Sequence, residues 1–420
     1  MTSVPVCKRR HPEGDHVDTH ETSGRVRATP SLVSGRLWAV ARHLATAASL
    51  LLGSSLAQHA RAEEGVTADR VYVGSSLALS GPLAGIGKDF AAGMKVAIDL
   101  VNAGGGVNGR KIVLTMLDDG YDAKRTVENT RTLLAEGKAF AFLGTLGTAN
   151  ILAAMPLLEE RGVPLFAAFS GANSLRKQPY RQFSTVIASY ADETERMVNH
   201  AHTIGLRRIA VAYQDNTFGL DGLEGVKEAL QKRHLIPLAT VAVKTDASNA
   251  EEAAQAIARA EPHVVIATMA GKATLEFVRN LRRIRPSTQV MLLSVADTNQ
   301  LTRELGKAAD GIIVTQTVPG PFHQKLRISR DFLQAMTAAG KGDHVSYAAM
   351  TGFIAAVGFS EMLRRSGGSP TRESFGNSLR SGKPIDLGGF ELRFGAGQPN
   401  GSKYVELTMI RSGSGRPFVY

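Results

Sequence analysis

The chain has 420 residues, with 49 lysines and arginines against 38 aspartates and glutamates, a formal charge of +11, and 43% hydrophobic residues. That length and composition suit two globular domains with cores of their own, and they exclude a disulfide-stapled miniprotein, a fibrous repeat and a disordered chain. The single cysteine, Cys7, has no partner within the chain, so an intrachain disulfide, a thiolate metal cluster and a C-x-x-C redox centre are excluded as well.

The first predicted element is an export signal. Leu44 to Ala57 is uncharged and rich in Leu and Ala; Arg36, Arg42 and His43 precede it and Ala60-Arg61-Ala62 follows it. A basic flank, an apolar stretch too short to span a bilayer, and small residues flanking the cut predict a secretory signal peptide over residues 1–62, cleaved after Ala62. The remainder holds no cysteine to carry a lipid, so the mature protein is expected free in the periplasm. Setting aside residues 1–62 removes eight basic and four acidic side chains and lowers the excess charge to +7. The remaining charges are scattered singly rather than gathered in a run, which is the pattern of a solvated surface and not of a nucleic-acid stripe.

From Val71 onward short apolar runs alternate with segments of helical period, the signature of βαβ units and parallel sheets. Val71 to Leu77 reads as a strand, and Phe90, Met94, Ala97, Ile98 and Val101 form one helical stripe after it, ended by Gly104-Gly105-Gly106. Ile112 to Leu117 is a second strand, and Asp122 is placed to cap a helix that stops at Gly137. Phe140 to Leu143 and Val163 to Ala168 are further strands, with a helix around Ile151 to Glu159 between them. A second series starts where Asp192 and Glu195 stand at capping-box spacing. Its strands are Arg208 to Tyr213, Ile236 to Val243, Val264 to Met269, Val290 to Leu293 and Ile312 to Thr315, with helices marked by Leu223, Val226 and Leu230 and by Leu275, Val278 and Leu281. Helices over Arg330 to Ala339 and Ser346 to Arg364 follow, then short strands near Phe390 to Phe394 and Val405 to Ile410. Tyr347 to Phe359 is the most apolar later stretch, and it falls short of the ~20 residues of a membrane span, so it reads as a buried helix. The expected architecture is two doubly wound α/β lobes with parallel sheets, joined as a clamshell that holds a ligand in its cleft.

Enzyme motifs are missing or malformed. Ser80 to Gly87 follows the first strand but spaces its glycines G-x-x-x-G-x-G and contains Pro82, so it makes a poor pyrophosphate cradle; Asp118 and Asp119 only imitate a ribose-binding acid. There is no G-x-S-x-G elbow and no H-E-x-x-H, and His200 and His202 stand at a spacing that points them to different faces of a helix. Neither a metal nor a cofactor is expected. Two small-residue loops at strand ends do stand out, Gly144-Thr145-Leu146-Gly147-Thr148 and Phe169-Ser170-Gly171-Ala172. Their glycines could simply make tight turns. As a pair at the carboxyl ends of adjacent strands, hydroxyls beside free N–H groups favour the binding of an anion such as a carboxylate.

In order along the chain, Leu79-Ser80-Gly81-Pro82, Gly104 to Arg110 with Asp118-Asp119, Phe169 to Ala172, Ala188-Ser189-Tyr190-Ala191-Asp192-Glu193, and Tyr213-Gln214-Asp215 with Phe218-Gly219 resemble the periplasmic solute-binding proteins of ABC transporters, of the leucine/isoleucine/valine-binding type. The resemblance runs from about Val71 to Ile410. It implies two lobes, residues 66–188 plus about 318–394 and residues 189–317 plus about 395–420, joined by hinge strands. It implies a monomeric, non-enzymatic binder of a small carboxylate or amino acid that delivers it to membrane permease subunits. A sensor of the same fold and an exported α/β enzyme are the alternatives.

Position by position, the resemblance implies that Thr148 takes the ligand carboxylate, and that Ser170 and Gly171 lie in the loop adding a second polar contact. Tyr190 belongs to the third of the shared loops. Ile86 stands where several members have an aromatic wall and Phe218 where they often have tyrosine, while Met269, Ala270 and Ser294 come from strand ends of the facing lobe. Ser294 occupies the place of the acid that receives an amino acid's ammonium, and Ile187 replaces a related subgroup's arginine. Asp192 and Asp215 are the remaining candidate acids. Lacking the expected acid, the site is predicted to favour a carboxylate with an apolar body over leucine or valine.

Overall fold

A computed structural model describes residues 63–136, 138–322, 324–411 and 418–419. The predicted signal peptide lies outside the described residues.

The first sheet is built from β1 (Arg70–Leu77), β2 (Lys111–Asp118), β3 (Ala141–Leu143) and β4 (Leu165–Phe166), all parallel and in the order β2-β1-β3-β4. From Val73 to Leu77 successive residues of β1 are buried, as expected of a strand covered on both faces rather than one. Helix α1 (Ala84–Ala103) buries Phe90, Met94, Ala97 and Ile98, the stripe visible in the sequence. Helix α2 (Ala123–Ala135) starts where predicted, because the Asp122 carboxylate accepts the N–H groups of Lys124 and Arg125. Helix α3 (Thr148–Glu160) leads into β4, which is followed only by the four-residue helix α4 (Asn173–Arg176).

Helix α5 (Tyr190–Thr203) opens the second series. The sequence placed its capping box at Asp192 and Glu195, but the helix begins earlier: the Ser189 hydroxyl accepts the Asp192 N–H, and Asp192 returns a carboxylate to the Ser189 N–H and hydroxyl. Two acid-containing boxes overlapped in the sequence, and the one with a hydroxyl at its first position caps the helix. There follow β5 (Ile209–Gln214), α6 (Thr217–Gln231), β6 (Thr240–Val243), α7 (Ala250–Arg259), β7 (Val264–Thr268), α8 (Gly271–Ile284), β8 (Gln289–Leu292), α9 (Thr298–Leu305) and β9 (Ile313–Gln316). The strand expected from Ile236 begins only at Thr240; Ile236 itself is 83% exposed.

The chain then returns through α10 (Arg327–Ala338) and α11 (Tyr347–Arg365), α12 (Arg372–Arg380), the two-residue antiparallel pair β10 (Ile385–Asp386) and β11 (Glu391–Leu392), and β12 (Glu406–Met409) and β13 (Phe418–Val419). The second sheet runs β13-β12-β9-β8-β7-β5-β6, with β5 to β9 parallel and β12 and β13 antiparallel at its edge. Helix α11 carries the apolar stretch and is buried along most of its length. No helix among the described residues is long and apolar enough to cross a membrane.

Helices α1 and α11 cross with their backbones in contact: a Cβ on Gly93 would lie 1.9 Å from the Ala349 carbonyl oxygen, and one on Gly352 would lie 2.1 Å from that of Phe90. Alanine at either point would force the helices apart and open the core between them.

Candidate functional site

The site is made by loops that leave the carboxyl ends of the parallel strands, where open α/β sheets bind ligands. After β3 the chain turns at Gly144 and Gly147, both at positive φ. At Gly144 a Cβ would fall 2.4 Å from the Phe90 ring, so glycine is needed for α1 to seat. Gly147 (φ 101) is the N-cap of α3 and supplies no side-chain acceptor; the first backbone bond into the helix is Ile151 N–H to Gly147 carbonyl. The opening N–H groups of a thirteen-residue helix thus face the cleft without a capping side chain.

Thr148 begins that helix, and its hydroxyl lies 2.9 Å from the Ser170 hydroxyl, which comes from the loop after β4. The Ser170 oxygen also accepts the Ala172 N–H at 3.2 Å. Both side chains are buried. The stacking of Phe169 on Phe90, 4.7 Å between ring centroids, fixes the loop from behind.

Beside Thr148 lies a pocket of about 320 Å³, part of it open to solvent. The first lobe contributes Leu83, Ile86, Tyr121, Leu146, Gly147, Thr148 and Phe169, and the second Tyr190, Phe218, Ala270 and Val295. The rings of Tyr190 and Phe218 meet edge to face at 5.3 Å. None of these lining residues carries an acidic or basic side chain. Tyr121 sits at φ 67, a strained conformation for an aromatic residue, held by its N–H bond to the Asp119 carboxylate at 2.9 Å. Burial pushes its phenol up to about 12, so it stays protonated at neutral pH and can donate. A second opening of about 500 Å³ lies beyond Tyr121 and Phe218, reached past Asn150, Asn216 and Thr245.

Behind the second lobe's wall the polar groups are used on one another. Glu193, one turn into α5 and fully buried, accepts the Ser294 N–H at 2.8 Å, the Ser294 hydroxyl at 3.0 Å and the Thr315 hydroxyl. Burial raises its carboxyl to about 7, against the pull of those bonds and of Arg176. Gln214 gives its side-chain oxygen to the Ala270 N–H at 3.1 Å.

Arg176 is the buried cation nearby. Its Nε donates to Asn400 Oδ1 at 2.6 Å, its Nη1 to the carbonyls of Ser170 at 3.2 Å and Ala172 at 2.8 Å, and its Nη2 to the carbonyl of Ile187 at 3.4 Å. Burial lowers it to about 10, which leaves it charged at neutral pH. Ile187, which stands where a related subgroup has an arginine, offers its carbonyl to the Arg176 guanidinium from α4.

Of the residues singled out from the sequence, Ile86, Thr148, Tyr190, Phe218 and Ala270 line the cavity, and Ser170 and Gly171 stand directly behind it. Gly171 is required there, since a Cβ would fall 2.3 Å from the Tyr190 ring. Met269 is placed elsewhere: it is buried in the second sheet's own core, because neighbouring residues at a strand end point to opposite sides and Ala270 takes the cleft side. Ser294 is turned toward Glu193, and its neighbour Val295 lines the cavity. Asp192 is occupied by its cap and Asp215 is exposed. Asp118 and Asp119 hold loops. Burial raises Asp118, but bonds from the Ser80 hydroxyl and the N–H groups of Gly120, Ser80 and Leu79 outweigh it and hold the carboxyl at about 2. The sequence reading missed Leu83, Tyr121 and Val295, and no periodicity marks them; Leu146, Gly147 and Phe169 lay within the two loops it had singled out.

A family profile described as periplasmic binding protein matches residues 70–413. The Leu/Ile/Val-binding protein homolog 7 of Brucella suis biovar 1 (strain 1330) is 30% identical over 159 residues, 36% of this chain and 39% of that protein, so the chain aligns with well under half of the length of this curated relative. A substrate-binding periplasmic protein from Ralstonia solanacearum superposes with a TM-score of 0.78 at 31% identity, covering 83% of this chain and 99% of that one. A solute binding protein of an ABC transporter from Rhodopseudomonas palustris HaA2, solved in complex with p-hydroxybenzoic acid, superposes with a TM-score of 0.74 at 20% identity over 84% of this chain and 95% of its own, a likeness of fold.

Proposed function

The chain belongs to the periplasmic binding protein family, and from that premise we propose that it captures a small carboxylate with an apolar body and delivers it to the permease of an ABC importer, without turnover. The observation that carries the ligand class is the Thr148 hydroxyl at the uncapped start of α3, backed by that of Ser170, in a cavity otherwise walled by apolar and aromatic side chains. Hydroxyls and helix-terminal N–H groups suit a carboxylate. An ammonium would need an acceptor of its own, since an unpaired buried charge costs several kcal/mol. The nearest candidates, Glu193 and Ser294, are bonded to each other.

Calorimetry with 4-methyl-2-oxopentanoate, leucine and 4-hydroxybenzoate on one preparation tests this. The two acids lacking an amino group are expected to bind more tightly than leucine. Tenfold tighter leucine would overturn the ligand class, and binding of none of the three would overturn the pocket chemistry.

We assign residues 66–188 with about 318–394 to one lobe and residues 189–317 with about 395–420 to the other; the packing of α11 on α1 and the pairing of β12 with β9 support that division. We further assign the mature N-terminus to Glu63, whose carboxylate accepts the Arg372 N–H at 3.1 Å and so ties that end to the fold. N-terminal sequencing of exported protein that begins at residue 1 would refute this.

A further inference from the structure

Two segments that wall the cavity meet again outside it. The loop bearing Ser170 continues into α4, where the N–H groups of Asn173 and Ser174 donate to the two carboxylate oxygens of Asp221, each at 2.7 Å. Asp221 stands on α6, which packs against α5, β5 and β7 of the second lobe. It lies three residues beyond Phe218, on the same face of the helix one turn along. Across the cleft, then, α6 presents Phe218 to the cavity and Asp221 to the loop that forms the cavity's floor. The same loop is held by Arg176, which donates to the carbonyls of Ser170 and Ala172 and reaches Asn400, in the segment assigned to the second lobe. Asp221 also attracts that guanidinium.

We infer that Asp221 is a closure latch, a positioning residue that holds the second lobe against the ligand loop of the first. The inference rests on the reading of the cavity as the ligand site. Both oxygens of one carboxylate are used by adjacent backbone donors, and charge-assisted bonds of this kind are stronger and more directional than neutral ones. Opening the lobes carries Asp221 away with α6 and returns both N–H groups to water. Neither group contacts the cavity, so the latch adds to closure without choosing the ligand. Lighter contacts accompany it where the lobes meet: Asn299 Nδ2 donates to the Val345 carbonyl at 3.2 Å, and Gly271 lies against the Pro82 carbonyl.

The test uses the mature chain from Glu63, which holds no cysteine, with spin labels at Glu128→Cys on α2 and Glu252→Cys on α7. Distances between the labels report lobe opening with and without bound acid. Asp221→Asn, which leaves one oxygen to accept and faces the other donor with an amide, is expected to raise the open population. It is also expected to speed release of whichever of 4-hydroxybenzoate or 4-methyl-2-oxopentanoate binds by about tenfold, the scale of one lost hydrogen bond to a charged group. Asp221→Glu, which keeps the charge but lengthens the arm, is expected to fall between. An unchanged distance distribution in Asp221→Asn overturns the latch, and so does faster release with no added opening, which would mark a purely local support of the loop. If neither acid binds, the label distances decide alone, and the failure falls on the ligand class instead.

Discussion

The two walls of the cleft treat their polar groups in opposite ways. In the first lobe Thr148 brings a hydroxyl to the cavity, with that of Ser170 bonded to it from behind, beside a helix start with no capping side chain. In the second lobe Glu193, Ser294, Thr315 and Gln214 are bonded among themselves or to backbone, and what remains at the surface is Phe218, Ala270 and Val295, with the Tyr190 ring. On the proposed function, one wall would recognise charge and the other would exclude water from it. A carboxylate bound there, as proposed, would gain strength as the second lobe closes over it, because hydrogen bonds to an ion are worth more in a low dielectric.

The sharpest way to break that contrast is to remove a hydroxyl from the first wall. Thr148→Ala and Ser170→Ala are each expected to cost roughly 1.5–3 kcal/mol, or about ten- to a hundredfold in affinity by calorimetry. Retention of full affinity in both would place the carboxylate elsewhere.

On the second wall the largest effect is one of stability. Burial raises Glu193 from 4.5 to about 7, so the folded protein keeps a proton that the unfolded chain gives up in that window. The stability this proton confers is present below pH 4.5 and lost as pH rises toward 7, amounting to up to about 3 kcal/mol. Denaturant melts between pH 5 and 8 are expected to show that fall and, in Glu193→Gln, a flatter profile. The same slope in both would show that the carboxyl is ionised throughout.

Gly171→Ala sharpens the comparison at the seam between the walls. Its Cβ would meet the Tyr190 ring at 2.3 Å and drive it toward the cavity. Overpacking of this kind costs about 1–3 kcal/mol, and here it is expected mainly as lost affinity for the rigid ligand, 4-hydroxybenzoate, relative to the flexible 4-methyl-2-oxopentanoate. The smallest effect is expected from Ser294→Ala: about 1 kcal/mol in a thermal melt and affinity within twofold of the wild type, since its hydroxyl serves Glu193 and not the ligand. A tenfold loss of affinity would return Ser294 to the binding surface.

Much of the scaffold was legible in the sequence because its signals are local. The stripe from Phe90 to Ile98, the Asp122 cap and the glycines after β3 each act over a few residues. The loops at 144–148 and 169–172 were legible for the same reason. What escaped depends on contacts between distant segments. Whether Met269 or Ala270 faces the cleft is a matter of one residue's register at a strand end. Tyr121 lines the cavity only because Asp119 holds its backbone at a positive φ. Ser294 meets Glu193, from a helix a hundred residues away in sequence, behind the wall and not in the cavity. Neither the Arg176 network nor the Asp221 bonds leave any periodic trace.

The glycine crossing of α1 and α11 bears on the order in which the chain can fold. Gly93 is near the start of the first lobe and its partner segment, Ala349 to Gly352, is made only after the whole second series of strands. Until that segment arrives, the face of α1 that it covers stays open to water, and the loop that must close to bring them together is long and entropically slow. The first lobe therefore finishes only after residues 189–317 of the second have been synthesised, although it begins first. Were the chain exported unfolded, as the expected signal peptide implies, a core that waits for its C-terminal third would delay its folding.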